Sequence, residues 1–199
     1  LYLHGGGFVG GAFESRKAFT ATLVKYTGRT VYTPNYRLAP EHIFPAAIDD
    51  CYKVYINLLK NYDSKDIFVI GESAGGNLVL SLIHKLKDNN IPLPCGIAVM
   101  SPVVQFLDKY ESYIDNYNKD PILSNVHEEI IDTYLKGLSN EEIAHHYVSP
   151  INGTFINFPR TMITVSDSEL LKDDAYKLLE KMKLDNVNVT FLSRNKMLH

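Results

Sequence analysis

The group in this sequence best placed to do chemistry is Ser73, set in Gly71-Glu72-Ser73-Ala74-Gly75. An apolar run at residues 67–70 leads into it, and a helix-forming run at residues 77–83 leads out. A serine on a tight strand-to-helix turn exposes its hydroxyl and has a helix N-terminus behind it. The two glycines follow from the turn, because a β-carbon at either position would meet the neighbouring strand or helix. Ser73 is therefore a candidate nucleophile for acyl transfer.

A serine hydroxyl is a poor nucleophile at neutral pH. It needs a base, an acid that orients the base, and donors for the oxyanion. Where the serine sits on such a turn, chain order runs serine, acid, histidine. Of the seven histidines, only His199 lies beyond the candidate acids, which makes it the candidate base. The segment Val165-Ser166-Asp167-Ser168-Glu169-Leu170-Leu171-Lys172-Asp173-Asp174 offers four carboxylates. Asp173 and Asp174 are expected on a helix, as first-turn charges that complement its dipole. Asp167 and Glu169 remain as candidate acids, just past a strand end.

His4-Gly5-Gly6-Gly7-Phe8 follows an apolar run at residues 1–3. Three consecutive glycines cost conformational entropy and need a reason. Here the reason is backbone N–H groups turned toward the oxyanion, with the N–H of Ala74 as a further donor. His4 precedes the serine and reads as a loop-orienting residue. In the next cluster, Tyr36-Arg37-Leu38-Ala39-Pro40-Glu41-His42, the proline sets a rigid turn. Arg37 is expected in a buried charge-assisted pair with Asp50 or Glu41.

These groups need a scaffold. Strand-like runs at residues 1–3, 30–33, 67–70, 96–100, 161–165 and 188–192 alternate with helical runs at 14–26, 45–60, 74–87 and 171–184. In the first helix, Ala18, Leu23 and Val24 are expected to form the apolar face. Alternation of this kind indicates an α/β fold, a mostly parallel sheet of about six strands with helices on both faces. Residues 103–159 break the pattern. They are long, polar and aromatic, with short helical stretches at 127–136 and 141–146, and read as an excursion above the sheet near the site.

The 199 residues suffice for one domain with its own core, and no linker divides them. A net charge of -3 gives no basic surface for nucleic acid. No apolar run approaches the ~18 residues a membrane helix needs. Cys51 and Cys95 give neither metal spacing nor a disulfide framework. Read as buried free thiols, they fit a reducing, cytoplasmic compartment. No cofactor or metal is called for, and oligomeric state is not set by the sequence. The chain lacks an initiator methionine, opens on a strand already under way and closes on His199, so it reads as the middle of a longer protein.

Together these motifs resemble the hormone-sensitive-lipase-like esterases of the α/β-hydrolase fold, known for their HGGG and GDSAGG motifs. The resemblance runs from His4-Gly5-Gly6-Gly7-Phe8 through Tyr36-Arg37-Leu38-Ala39-Pro40-Glu41, Pro45-Ala46-Ala47 and Gly71-Glu72-Ser73-Ala74-Gly75-Gly76-Asn77. It continues through Ser101-Pro102, Glu111-Ser112-Tyr113, Asp120-Pro121 and Ser149-Pro150 to His199. It implies hydrolysis of carboxylic esters of small or medium acyl groups through an acyl-enzyme, with a small-molecule ester as the partner. Ser73 would be the nucleophile, His199 the base and Gly6, Gly7 and Ala74 the oxyanion donors. Matching the family's D-P-L-R-D-E to Leu171, Lys172 and Asp173 puts the acid at Glu169, with Asp167 as runner-up. The family's N-terminal cap and first strands would lie outside the chain, leaving the run around Val31 at an open sheet edge. An amidase or deacetylase with the same triad, or a non-catalytic ligand receptor on the same fold, are the alternatives.

Overall fold

The computed structural model describes residues 1–124, 126–196 and 199. In chain order its elements are β1 (Tyr2–Leu3), α1 (Phe13–Thr27), α2 (Ala46–Leu58), β2 (Phe68–Glu72), α3 (Ala74–Asp88), β3 (Gly96–Met100), α4 (Ser112–Asp115), α5 (His127–Tyr134), α6 (Asn140–Ala144), β4 (Arg160–Ser166), α7 (Lys172–Leu184) and β5 (Val189–Arg194). The five strands form one sheet in the order β1-β2-β3-β4-β5, every pair parallel. This is the parallel α/β sheet that the alternation of strands and helices predicts. Parallel neighbours require crossovers that bring each strand's carboxyl end to the same edge. The loop at residues 4–8, Ser73 and residues 167–171 all leave that edge, and His199 lies beside it.

The apolar strands explain the core. Val69, Ile97, Val99, Ile163 and Val165 point to one face and are buried there. α3 packs on that face against β2 and β3, with α2 behind it. It is buried from Ala74 through His84 and again at Leu86, so it is apolar nearly all round rather than on one stripe. α7 joins the same face through Ala175, Leu178 and Met182. α1 serves the other face, where Phe19 meets Tyr2 with ring centroids 5.1 Å apart.

Four expectations are corrected. Residues 30–33 form no strand, so the sheet has five strands among the described residues rather than about six. β1 is only two residues long and offers that run a single ladder bond, from Tyr2 N to Tyr32 O at 2.8 Å. The apolar face assigned to α1 is not buried: Ala18 and Val24 are exposed and Leu23 is half-buried. The Arg37–Asp50 pair forms, with Nη2 to Oδ1 and Nε to Oδ2 both at 2.8 Å, but on the surface rather than in the interior. Cys51 is buried in α2, whereas Cys95 is only partly so.

Residues 103–159 carry α4, α5 and α6 and are tied down by buried polar side chains. Asn77 of α3 donates from Nδ2 to Val103 O and Val148 O, at 3.0 and 2.9 Å, near both ends of the excursion. Asp173 accepts from Ser112 N at 2.8 Å. Asp174 accepts from Val104 N and from the Tyr113 hydroxyl, each at 3.0 Å. These two carboxylates therefore dock the excursion on α7 rather than merely complementing a helix dipole. Burial pushes the Asp174 carboxyl up to about 7 from an ordinary 3.8, against the lowering effect of its two donors. The folded state thus holds a proton that the unfolded chain has already released. The stabilisation is complete below about pH 4 and fades as pH rises through 7. Asp174→Asn is expected to remove this dependence. Melting curves at pH 4 to 8 would show the wild-type Tm falling relative to the variant as pH rises. A Tm difference that does not change with pH would overturn the assignment.

Candidate active site

The site is built on the turn between β2 and α3. Ser73 has φ 53° and ψ -121°, a left-handed backbone that side-chain-bearing residues rarely adopt. The turn is held by Ser73 N donating to Met100 O at 2.8 Å and by α3 starting immediately after. The glycine spacing has a direct cause. A β-carbon on Gly71 would lie 2.3 Å from Gly75 O, and one on Gly75 would lie 2.1 Å from Leu3 O and 2.6 Å from His4 O. The helix must approach β1 this closely to bring Ser73 beneath the glycine loop at residues 5–7. Gly75→Ala must push backbone against backbone, and its expected cost is about 3 kcal/mol. In a protein of this size that is a drop of roughly 6–12 °C in Tm. A variant that melts with the wild type would show the approach to be looser than described.

Three side chains converge at the carboxyl edge. His199 Nε2 lies 2.8 Å from Ser73 Oγ, and His199 Nδ1 lies 2.6 Å from Glu169 Oε2. Residues 197 and 198, in the loop expected to return His199, lie outside the described residues. The side chains of His199 and Glu169 are only 9% and 2% exposed, so little water competes with their pairing. The other carboxylate oxygen, Glu169 Oε1, accepts from Ser166 N at 2.6 Å and Ser101 Oγ at 2.5 Å. The Asp167 carboxylate points elsewhere and accepts from the Tyr176 hydroxyl at 3.0 Å. Of the two candidate acids, Glu169 is the one brought to His199.

The glycine loop arches over Ser73. Gly6 and Gly7 have φ +118° and +64°. A β-carbon on Gly7 would strike Ile130 Cγ2 of α5 at 2.6 Å. Among the described residues, the N–H groups of Gly6, Gly7 and Ala74 donate to no protein acceptor, and all three residues line the cavity above Ser73. The loop is anchored beneath. Gly5 N donates to Glu72 Oε1 at 2.8 Å, and Arg16 Nε meets the same oxygen at 2.9 Å. His4 is stacked on Tyr36 and bonded through Nδ1 to Gly5 O at 2.8 Å. Burial holds its imidazole below the usual range, so it orients the loop as a neutral ring.

Two contributors carried no assigned role in the sequence reading. Ser101 appeared only as half of a Ser-Pro pair, yet its hydroxyl fixes Glu169. Asn116 gave no signal at all. It is buried, and its Nδ2 donates to Asp167 O and Glu169 O at 3.1 and 2.9 Å. Asp120, from the Asp-Pro pair, accepts from Leu170 N at 3.0 Å. The backbone around Glu169 is thus held by the excursion as well as by the sheet.

The family described as alpha/beta hydrolase fold matches residues 1–199. The chain belongs to the hormone-sensitive-lipase-like branch of the α/β-hydrolase family. It is similar to a protein named "Esterase" from Acinetobacter venetianus, 33% identical over 194 residues that make up 96% of this chain and 63% of the relative. An "Acetyl-hydrolase" from Streptomyces hygroscopicus is 29% identical over 201 residues, 100% of this chain and 66% of that protein. Among solved structures, EstE5 soaked with p-nitrophenyl butyrate superposes with a TM-score of 0.94 at 32% identity, covering 100% of this chain and 67% of that one. An esterase from the bacterial hormone-sensitive lipase family gives 0.94 at 30%, covering 100% and 66%. The chain therefore spans slightly less than two thirds of the length of these curated relatives.

Family membership gives the cavity above Ser73 its meaning. It measures about 750 Å³, within the usual range for small-molecule sites. Its floor is polar, formed by Ser73, Glu169, His199 and the three N–H groups. Phe8, Val103, Phe106, Leu123, Ile130 and Ile131 form apolar walls, most of them from the excursion.

Proposed function

We propose that the chain is the catalytic region of a serine carboxylesterase that hydrolyses small-molecule esters of small or medium acyl groups. In this reading residues 1–199 are one catalytic domain, and residues 103–159 are its helical excursion over the site. The observation that carries it is the unbroken contact from Ser73 Oγ through His199 to Glu169. Ser73 Oγ attacks the ester carbonyl carbon as its proton passes to His199 Nε2. Glu169 stabilises the imidazolium through Nδ1. The carbonyl oxygen, now an oxyanion, takes hydrogen bonds from the N–H groups of Gly6, Gly7 and Ala74. Collapse breaks the bond to the alcohol oxygen, which leaves with the proton from Nε2. Water, deprotonated by His199, then attacks the acyl-enzyme. The acid departs and Ser73 recovers its proton.

The esterase names of the relatives support this chemistry, and the apolar walls suit an acyl chain. An amidase or deacetylase would use the same groups, and rates on matched ester and amide substrates separate the two. The test is covalent. The full-length protein is treated with a sulfonyl fluoride while p-nitrophenyl esters from acetate to octanoate are assayed. Turnover of these esters, lost in step with a mass increase on the peptide carrying Ser73, is the expected result. No turnover across the series, or inactivation without modification of Ser73, would sink it.

A further inference from the structure

One polar side chain in the cavity wall has no part in the chemistry above. His127 opens α5 and lines the cavity among Val103, Leu123, Val126 and Ile130, all apolar. One edge of its ring is accounted for by Tyr113, centroid to centroid 5.0 Å at 64°. Tyr113 is itself locked by its bond to Asp174 at 3.0 Å, which holds the imidazole in place. The ring nitrogens are not accounted for. Among the described residues neither has a hydrogen-bond partner, and neither is among the polar atoms sealed from solvent. A wall meant only to hold an alkyl chain would do better with leucine or phenylalanine, because a polar group facing an apolar ligand goes unpaired at a cost.

We infer that His127 is a specificity-determining residue, whose imidazole hydrogen-bonds a hydroxyl, carbonyl or amide group carried by the acyl or alcohol part of the ester. Burial holds the ring below the usual histidine range, against the raising effect of the nearby Glu128 and Asp120 carboxylates. It is therefore neutral at pH 7, with one donor and one acceptor to offer. A neutral ring with both capacities suits an uncharged polar substituent. The preferred substrates are oxygenated esters rather than simple alkyl esters. This deepens the esterase reading and rests on it.

The discrimination is read as a ratio of kcat/KM within matched pairs. One pair is p-nitrophenyl 3-hydroxybutyrate against p-nitrophenyl butyrate, and the other is 2-hydroxyethyl butyrate against ethyl butyrate. In at least one pair the wild type should favour the hydroxylated ester. His127→Phe should lower that ratio about tenfold or more, and His127→Gln, which keeps a donor and an acceptor, should restore part of it. Ratios in both pairs that stay within about twofold in His127→Phe would overturn the inference. The same pairs are titrated by calorimetry into Ser73→Ala and into Ser73→Ala/His127→Phe. If no ester is turned over, the esterase reading fails, while loss of the binding preference still supports His127 and its persistence still overturns it. Melting curves on both His127 variants separate a lost contact from a lost fold.

Discussion

Ser73→Ala is expected to lower kcat for p-nitrophenyl ester hydrolysis by about 10⁶-fold, a loss of roughly 8 kcal/mol of transition-state stabilisation. The size follows from what the substitution removes. Among the described residues Ser73 Oγ makes one hydrogen bond, to His199 Nε2, and has no other partner. Alanine keeps the β-carbon, so the left-handed backbone at φ 53° is no more strained than before. The fold should survive with Tm changed by only a few degrees, and the defect should be chemical. The oxyanion N–H groups and the cavity remain, so a small residual rate above the uncatalysed reaction is expected. Steady-state kinetics, with melting curves on the same preparation, make the measurement. A variant retaining more than about 1% of wild-type kcat would remove Ser73 from the nucleophile's role.

Why Ser73 could be found without coordinates, and other features could not, has a physical basis. The elbow is a local constraint. Gly71 is required because its β-carbon would meet Gly75 O across the turn, and Gly75 because α3 crosses β1 closely, yet both fall within the one short window of the turn itself. Strand β3 was legible over all five of its residues because a buried parallel strand is a continuous apolar run. The run at residues 30–33 has the right residue types, but a strand exists only if a neighbour bonds it, and β1 is too short to do so. The stripe in α1 has the right spacing, but Ala18 and Val24 stay exposed. Asp173, Asp174, Ser101 and Asn116 act through partners some 50 to 70 positions away. No local spacing encodes such contacts. The order of serine, acid and histidine was legible, whereas the choice between two carboxylates two residues apart depended on how the strand-end loop is pinned.

That pinning makes the acid the most discriminating target. Glu169→Gln is expected to lower kcat by about 10⁴-fold, while Asp167→Asn stays within about threefold of the wild type. Glutamine has nearly the same shape, so packing is conserved. Its orientation is decided by the two donors already at Oε1, Ser166 N at 2.6 Å and Ser101 Oγ at 2.5 Å. The amide oxygen must stay with them, which turns the amide NH₂ toward His199 Nδ1, 2.6 Å from Oε2. Two donors then face each other unless the imidazole moves its proton to Nε2. In that tautomer Nε2 can no longer accept the proton from Ser73 Oγ. The variant should therefore be folded, cavity intact, and nearly inert, with the loss in kcat rather than KM. Asp167 bonds the Tyr176 hydroxyl, so its amide analogue leaves His199 undisturbed. Because the three groups act as one unit, Ser73→Ala/Glu169→Gln should be no slower than Ser73→Ala alone. A larger loss from Asp167→Asn than from Glu169→Gln would transfer the role to Asp167. Full additivity in the double variant would mean that Glu169 acts outside the path from His199 to Ser73.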